Sequence, residues 1–211
     1  MNGIDRLLKL QQQNRVAGEL MGSLRPRFEA IRNREIEGTA PKAITGFNLF
    51  QTPRPVALRM AQIIQERAGD GSRILEPSAG LGRLYEPLEA LRAEWVMVEE
   101  VGECCNALRK SLKRVKEIRH ADFLEQTAEG LGGKFDVVVM NPPFKQGRDC
   151  KHILHALEMV RDGGRLVSLC YNGVRQNEQL KGIATRWEVL PEGSFKSEGT
   201  GASVALLVID K

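Results

Sequence analysis

From residue 72 onward, short apolar runs alternate with segments of helical spacing. SRILEP reads as a strand, LYEPLEALRA as a helix, EWVMVEE as a strand and CCNALRKSLKRV as a helix. KFDVVVMNP is a further strand and KHILHALEMVRDG a further helix, after which RLVSLCYN, RWEVLPEG and ASVALLVID supply three more strand candidates, RWEVLPEG the weakest. Near-continuous apolar strands separated by helices of this length form βαβ units, which bury both faces of a mostly parallel sheet under helices. The expected fold is therefore α/β and Rossmann-like, with a seven-stranded sheet. In such sheets ligands bind beyond the carboxyl ends of the strands, so the strand tips are where chemistry is sought.

The chain before this region has a different character. Residues 4–21 place Ile4, Leu7, Leu8, Val16 and Leu20 at near-helical spacing, and residues 25–37 form a second, strongly charged helical pattern. Gly38-Thr39-Ala40-Pro41 breaks the pattern, and Thr52-Pro53 opens a helix through about Ala68. The reading is a helical extension over 1–42 and one catalytic domain over 43–211. Charges at Asp5, Arg6 and Lys9 interrupt any secretory apolar core, and no later run approaches membrane-spanning length, so a cytoplasmic protein that does not enter a membrane is expected. Cys104, Cys105, Cys150 and Cys170 form no C-x-x-C pair with histidines at zinc spacing, so no metal site is expected.

Three strand tips carry candidate chemistry. The first ends in Glu76-Pro77-Ser78-Ala79-Gly80-Leu81-Gly82, an acidic residue and a glycine turn that lets the backbone approach a nucleoside. The second ends in Glu99, whose carboxylate can accept from both hydroxyls of a ribose. Asp122-Phe123 follow Arg119-His120, offering an acceptor for an adenine amino group and a ring to cover its face. The most specific feature is Asn141-Pro142-Pro143-Phe144, directly after FDVVVM. Two prolines end the strand in a rigid turn, and the Asn141 side-chain oxygen with the Pro142 carbonyl can accept both protons of an exocyclic amino group. Its lone pair is then withdrawn from the ring and free to attack, while Phe144 stacks on the base.

Thr52-Pro53, EPSAGLG, Glu99, Asp122 and NPPF stand in the order seen in amino-methyltransferases of the gamma arrangement, and over about residues 47–211 the chain resembles that family. The resemblance implies transfer of the methyl group of S-adenosyl-L-methionine to adenine N6 of DNA. By it, Thr52 and Pro53 help hold the methionine end of the cofactor, with Glu76, Pro77, Ser78, Ala79, Gly80 and Gly82 on its methionyl and ribose portion. Glu99 takes the ribose hydroxyls, Asp122 and Phe123 the adenine, and Asn141 the transferring end. Asn141, Pro142, Pro143 and Phe144 carry catalysis; Phe144, Lys145, Arg148, Phe195 and Lys196 contact the substrate, with Phe195 backing the base from the other side. His120, His152 and His155 are expected to be structural or exposed.

The formal net charge is only +4, but Arg25, Arg27, Arg32 and Arg34, and Lys110, Lys113, Arg114, Lys116 and Arg119, form groups suited to phosphate contact. The chain ends at Lys211 just after its last strand, so no separate target-recognition domain is expected. A relaxed or short recognition sequence follows, with salt-sensitive binding to DNA, as in the small accessory enzymes of phages and mobile elements that the chain resembles. Enzymes with the same Asn-Pro-Pro-aromatic turn that methylate guanine N2 of ribosomal RNA, or a release-factor glutamine, remain alternatives. So does a catalytic subunit of a two-chain methyltransferase, as opposed to a monomer or homodimer.

Overall fold

The computed structural model describes residues 51–211, so the predicted N-terminal helices and the boundary at residue 43 lie outside the described residues. Among the described residues the chain forms α1 (Arg54–Gln65), β1 (Arg73–Glu76), β2 (Glu94–Glu99), α2 (Gly102–Ser111), β3 (Glu117–His120) and β4 (Phe135–Met140). It continues with α3 (Arg148–Met159), β5 (Val160–Tyr171), α4 (Val174–Leu180), β6 (Arg186–Val189) and β7 (Val204–Asp210). These strands make one seven-stranded sheet in the order β3-β2-β1-β4-β5-β7-β6. Strands β1 to β5 pair in parallel, and β7 runs antiparallel to both β5 and β6. This is the expected α/β, Rossmann-like fold.

The strands read as unbroken apolar runs because both faces of the sheet are covered. Side chains alternate across the pleat: Ile74, Trp95, Met97, Val137, Val139, Val167 and Leu169 join the core with α1, while Leu75, Val96, Val98, Val138, Met140, Leu166 and Cys170 join the one with α3. All four cysteines are buried free thiols. No helix among the described residues is long and apolar enough to cross a membrane.

Local chemistry overrode pattern in three places. LYEPLEALRA supplies only a 3-10 turn, Glu86–Leu88, because Pro87 donates no amide hydrogen and restricts Glu86 before it. The turn is packed instead by Tyr85 edge-on to Trp95, with ring centroids 5.1 Å apart. Strand β3 was not expected, since Ile118 is its one apolar residue; main-chain pairing with β2 holds it at the edge of the sheet. Helix α3 stops at Met159 and VRDGG turns into β5, where the pairing with β4 jumps from Phe135–Val160 to Val137–Arg165. A Cβ on Gly164 inside that irregularity would lie 2.7 Å from Val160 Cγ1 and 2.8 Å from the Asp136 carbonyl oxygen.

At the other end of the strands, Arg165 is buried and joins three elements. It donates to Asp210 Oδ1 at 2.7 Å, to Glu66 Oε2 at 2.7 Å and to the Ile63 carbonyl at 3.1 Å. The guanidinium holds the Asp210 carboxyl below the usual range. Asp210 therefore stabilises the fold above the ordinary carboxylate pKa, and that stabilisation is lost as pH falls through the depressed value. Replacing Arg165 by Met should lower the unfolding free energy by roughly 2–4 kcal/mol at neutral pH and flatten the acid limb of the stability profile, as measured by urea unfolding between pH 3 and 7.

Candidate active site

The sheet order reverses direction between β1 and β4, so their helical connections leave in opposite directions and a cleft opens over the carboxyl ends of the strands. The cleft has a volume of about 480 Å³. Glu76 closes β1, Glu99 closes β2, Asp122 follows β3, Asn141 follows β4, and Tyr171 closes β5. The cleft is lined by Thr52, Glu76, Pro77, Ser78, Ala79, Gly80, Glu99, Asp122 and Phe123 on one side of this arc. Asn141, Pro142, Pro143, Phe144, Lys145, Arg148 and Phe195 complete its lining among the residues singled out from sequence.

Glu99 is the strut of the site. Its Oε2 accepts the Gly80 N–H at 2.7 Å and its Oε1 accepts the Val101 N–H at 2.8 Å. The β1 turn and the start of α2 are thereby fastened to one buried carboxylate. Each carboxylate oxygen has a second lone pair, so Glu99 retains capacity to accept from a diol. Gly80 has φ +53°, a left-handed conformation suited to glycine, and its N–H is thus turned onto Glu99.

Glu76 is the opposite case. It is 1% exposed, and its Oε2 has no hydrogen-bond partner among the described residues. Burial, with a smaller contribution from the nearby Glu99 charge, pushes its carboxyl well above the usual carboxylate range. A buried carboxyl without a counter-ion in a nucleoside-sized cleft is suited to a cationic ligand group such as the ammonium of a methionyl moiety. Glu76 and the spare acceptors of Glu99 thus fit S-adenosylmethionine at its charged end and its ribose.

At the β4 tip, Asn141 Nδ2 donates to Thr52 Oγ1 at 3.1 Å. This bond crosses 89 residues of sequence and helps to orient the amide, whose Oδ1 is its acceptor atom. Pro142 is buried, Pro143 and Phe144 are half-buried, and Phe144 packs on the α1-side core. Past the prolines, Gln146 adopts φ +59° and Gly147 φ +73°, while Arg175 donates to the Gln146 carbonyl at 3.1 Å. The left-handed φ of Gly147, rather than the flexible Arg175 side chain a Cβ would meet, favours glycine in the tight turn into α3.

The structure places several of the expected residues differently from the rest. Pro53, Gly82 and Lys196 are outside the cleft lining. Pro53 is buried, and its carbonyl accepts the first amides of α1. Gly82 has φ +79° and faces α2, where a Cβ would meet Leu108 at 3.2 Å and Leu112 at 3.3 Å, so its glycine serves packing. Lys196 is exposed in a 3-10 turn. Phe195 does line the cleft, but at 1% exposure it belongs to the core cluster beneath it. Phe123 is also buried, edge-on to His155 at 4.9 Å, and Arg148 is engaged by Glu100 at 3.3 Å.

The lining also includes residues that were not singled out as site residues. Tyr171 lies at the β5 tip and is 43% exposed. The strand-tip rule pointed to it, but its aromatic ring stood in a run read only as a strand. Arg83, His152 and Thr200 were not expected in the cofactor cleft, and chain folding brings them to it.

Glu76 generates a test on the ligand-free protein. With its folded pKa raised, the stability present below the ordinary carboxylate pKa declines as pH rises toward the raised value. Glu76→Gln should therefore make the ligand-free chain more stable than the parent at pH 8 and similar to it near pH 4. Urea unfolding across that range checks this, and an unchanged pH slope would remove the assignment of the buried proton to Glu76.

Comparison with known proteins agrees with this geometry. The methyltransferase small domain family matches residues 60–196. A curated relative from Caenorhabditis elegans, the rRNA N(6)-adenosine-methyltransferase metl-5, is 28% identical over 167 residues, covering 73% of this chain and 76% of its own. A Listeria monocytogenes protein assigned to the class I S-adenosylmethionine-dependent methyltransferases superposes with TM-score 0.61 at 19% identity, over 81% of this chain and 63% of that one. The Thermus thermophilus 16S rRNA N2 G1207 methyltransferase, solved with AdoMet and guanosine, gives TM-score 0.56 at 21% identity, over 81% and 44%. The chain thus spans less than two thirds of either solved relative. With the sheet order, the cleft and the matched segment in agreement, the chain belongs to the methyltransferase small domain family and is an S-adenosylmethionine-dependent methyltransferase.

Proposed function

We propose that the chain methylates the N6 amino group of adenine in a nucleic acid, with DNA the first polymer to test. The observation that carries this reading is the Thr52-held amide of Asn141, set beside two prolines at the β4 tip in the same cleft as Glu76 and Glu99. When bound, S-adenosylmethionine supplies an electrophilic methyl group on a sulfonium. Glu76 pairs with its ammonium, Glu99 accepts from its ribose, and Asp122 receives the adenine edge. Asn141 Oδ1 and the Pro142 carbonyl accept the two protons of the target amino group and draw its lone pair out of ring conjugation. Phe144 and the exposed Tyr171 offer aromatic faces at the rim for a base removed from its stack. Lys145 supplies an exposed cation beside them for phosphate contact.

Ribosomal RNA is the second reading, favoured by the C. elegans relative, whose named target is adenosine N6 of rRNA. Both readings share the atom methylated and differ in the polymer. A partner subunit is compatible with either.

Two measurements test the reading. Tritiated methyl transfer to DNA, ribosomal RNA and release factor, followed by nucleoside mass spectrometry, should yield N6-methyladenine in a polynucleotide. N2-methylguanine or a methylated glutamine as the product would overturn it. Asn141→Ala should lower kcat by roughly two to three orders of magnitude, the scale seen on losing one transition-state acceptor or donor, with a smaller change in cofactor affinity. A variant that loses cofactor binding but keeps its turnover at saturation would sink the role of Asn141.

A further inference from the structure

His152 occupies a position that packing does not explain. It lies in the second turn of α3, is 4% exposed, and neither Nδ1 nor Nε2 has a hydrogen-bond partner among the described residues. Buried imidazoles normally satisfy at least one ring nitrogen, because leaving a buried donor or acceptor unmade costs about 1–3 kcal/mol. The ring nevertheless lines the cleft, together with Asp122, Phe123 and Arg148. Its centroid is 5.7 Å from that of Phe123, on the 3-10 turn that follows β3. This places the ring next to the segment that follows β3.

The neighbouring groups leave His152 available. Asp122 uses Oδ1 for the Leu124 N–H, Arg148 is engaged by Glu100, and His155 Nε2 is bonded to the Gln126 carbonyl at 2.9 Å. Burial, and then the adjacent Arg148 charge, lower the His152 pKa to about 4, so the ring is neutral at physiological pH. A neutral imidazole offers one N–H donor and one bare nitrogen acceptor. One of these two groups can meet a ring nitrogen or the amino group of an adenine, each of which has a single matching partner.

We propose that His152 is a specificity-determining residue of the cofactor pocket, hydrogen bonding a ring nitrogen of the S-adenosylmethionine adenine alongside Asp122. The inference rests on the assignment of the cofactor and does not depend on which polymer is methylated. It converts a helix residue expected to be structural or exposed into a reader of the purine.

The test is calorimetric titration of the full chain with S-adenosylhomocysteine and its 1-deaza, 3-deaza and 7-deaza adenine analogues. The parent should bind one of the deaza analogues about tenfold more weakly than S-adenosylhomocysteine, the scale of one buried hydrogen bond. His152→Phe, which keeps a planar ring in the same space, should weaken S-adenosylhomocysteine by a similar factor and bind that analogue no worse. Unchanged affinity in His152→Phe, or the same deaza penalties as the parent, would overturn the proposal, and a parent that binds no S-adenosylhomocysteine would overturn it together with the cofactor assignment. Should His152→Phe fail to fold, 15N NMR of the histidine-labelled parent decides, with the resonances assigned by His120→Gln and His155→Gln. A ring-nitrogen shift of His152 on adding S-adenosylhomocysteine, reduced with the matching deaza analogue, supports the contact; an unmoved resonance removes it.

Discussion

The pairing of β1 with β4 governs everything functional in the chain. Ile74 aligns with Val137 and Leu75 with Val138, so Glu76 and, two residues beyond the position level with it, Asn141 emerge at the same end of neighbouring strands although they are distant in sequence. Their connections depart to opposite ends of the sheet. The register is protected by burial on both faces. A slip of one residue would exchange the Val137 and Val138 faces and move every apolar neighbour to the wrong layer. Core packing therefore sets the separation of the two groups that the proposed chemistry uses.

The two carboxyls of the cleft divide the electrostatic work in contrasting ways. Glu99 accepts from two main-chain N–H groups, which tie the loops around it together. Glu76 has no such compensation and lies close enough to Glu99 to feel its charge. A fully compensated pair would make the ligand-free protein more stable and the cleft indifferent to cations. The uncompensated carboxyl places part of the cost of binding in the ligand-free fold, to be recovered when a positive ligand arrives.

Much of this was legible in the sequence wherever periodicity or a motif carried it. The apolar runs of β1, β2, β4, β5 and β7 announced a two-sided sheet, and strand-end residues Glu76, Glu99 and Asn141 announced the cleft. Elements formed by pairing alone were silent, as with β3, whose Glu117, Arg119 and His120 give no apolar alternation. Helix α4 was likewise unmarked, its place secured by Gln176 donating to the buried Asp149, which also accepts the Tyr171 N–H at 3.0 Å. Glycine was ambiguous for a physical reason. Gly80 and Gly82 both have positive φ, yet one turns its N–H onto Glu99 while the other makes room for Leu108. Only the side chain a residue meets distinguishes a ligand turn from a packing turn.

The bond between Asn141 and Thr52 ties the site to the segment that leads into α1. Thr52 is itself 4% exposed, and the following Pro53 carbonyl accepts the Val56 and Ala57 amides that start the helix. The orientation of the Asn141 amide is consequently not a property of the proline turn alone. The Thr52 end of the bond is held by the docking of α1, whose Met60, Ile63 and Ile64 are completely buried against the sheet. A side chain with several rotamers becomes a fixed acceptor when its other end is held by a group from a rigid, separately packed element. In this chain the α1 core supplies that rigidity, and helix packing on the sheet is what turns a two-proline turn into a candidate catalytic one.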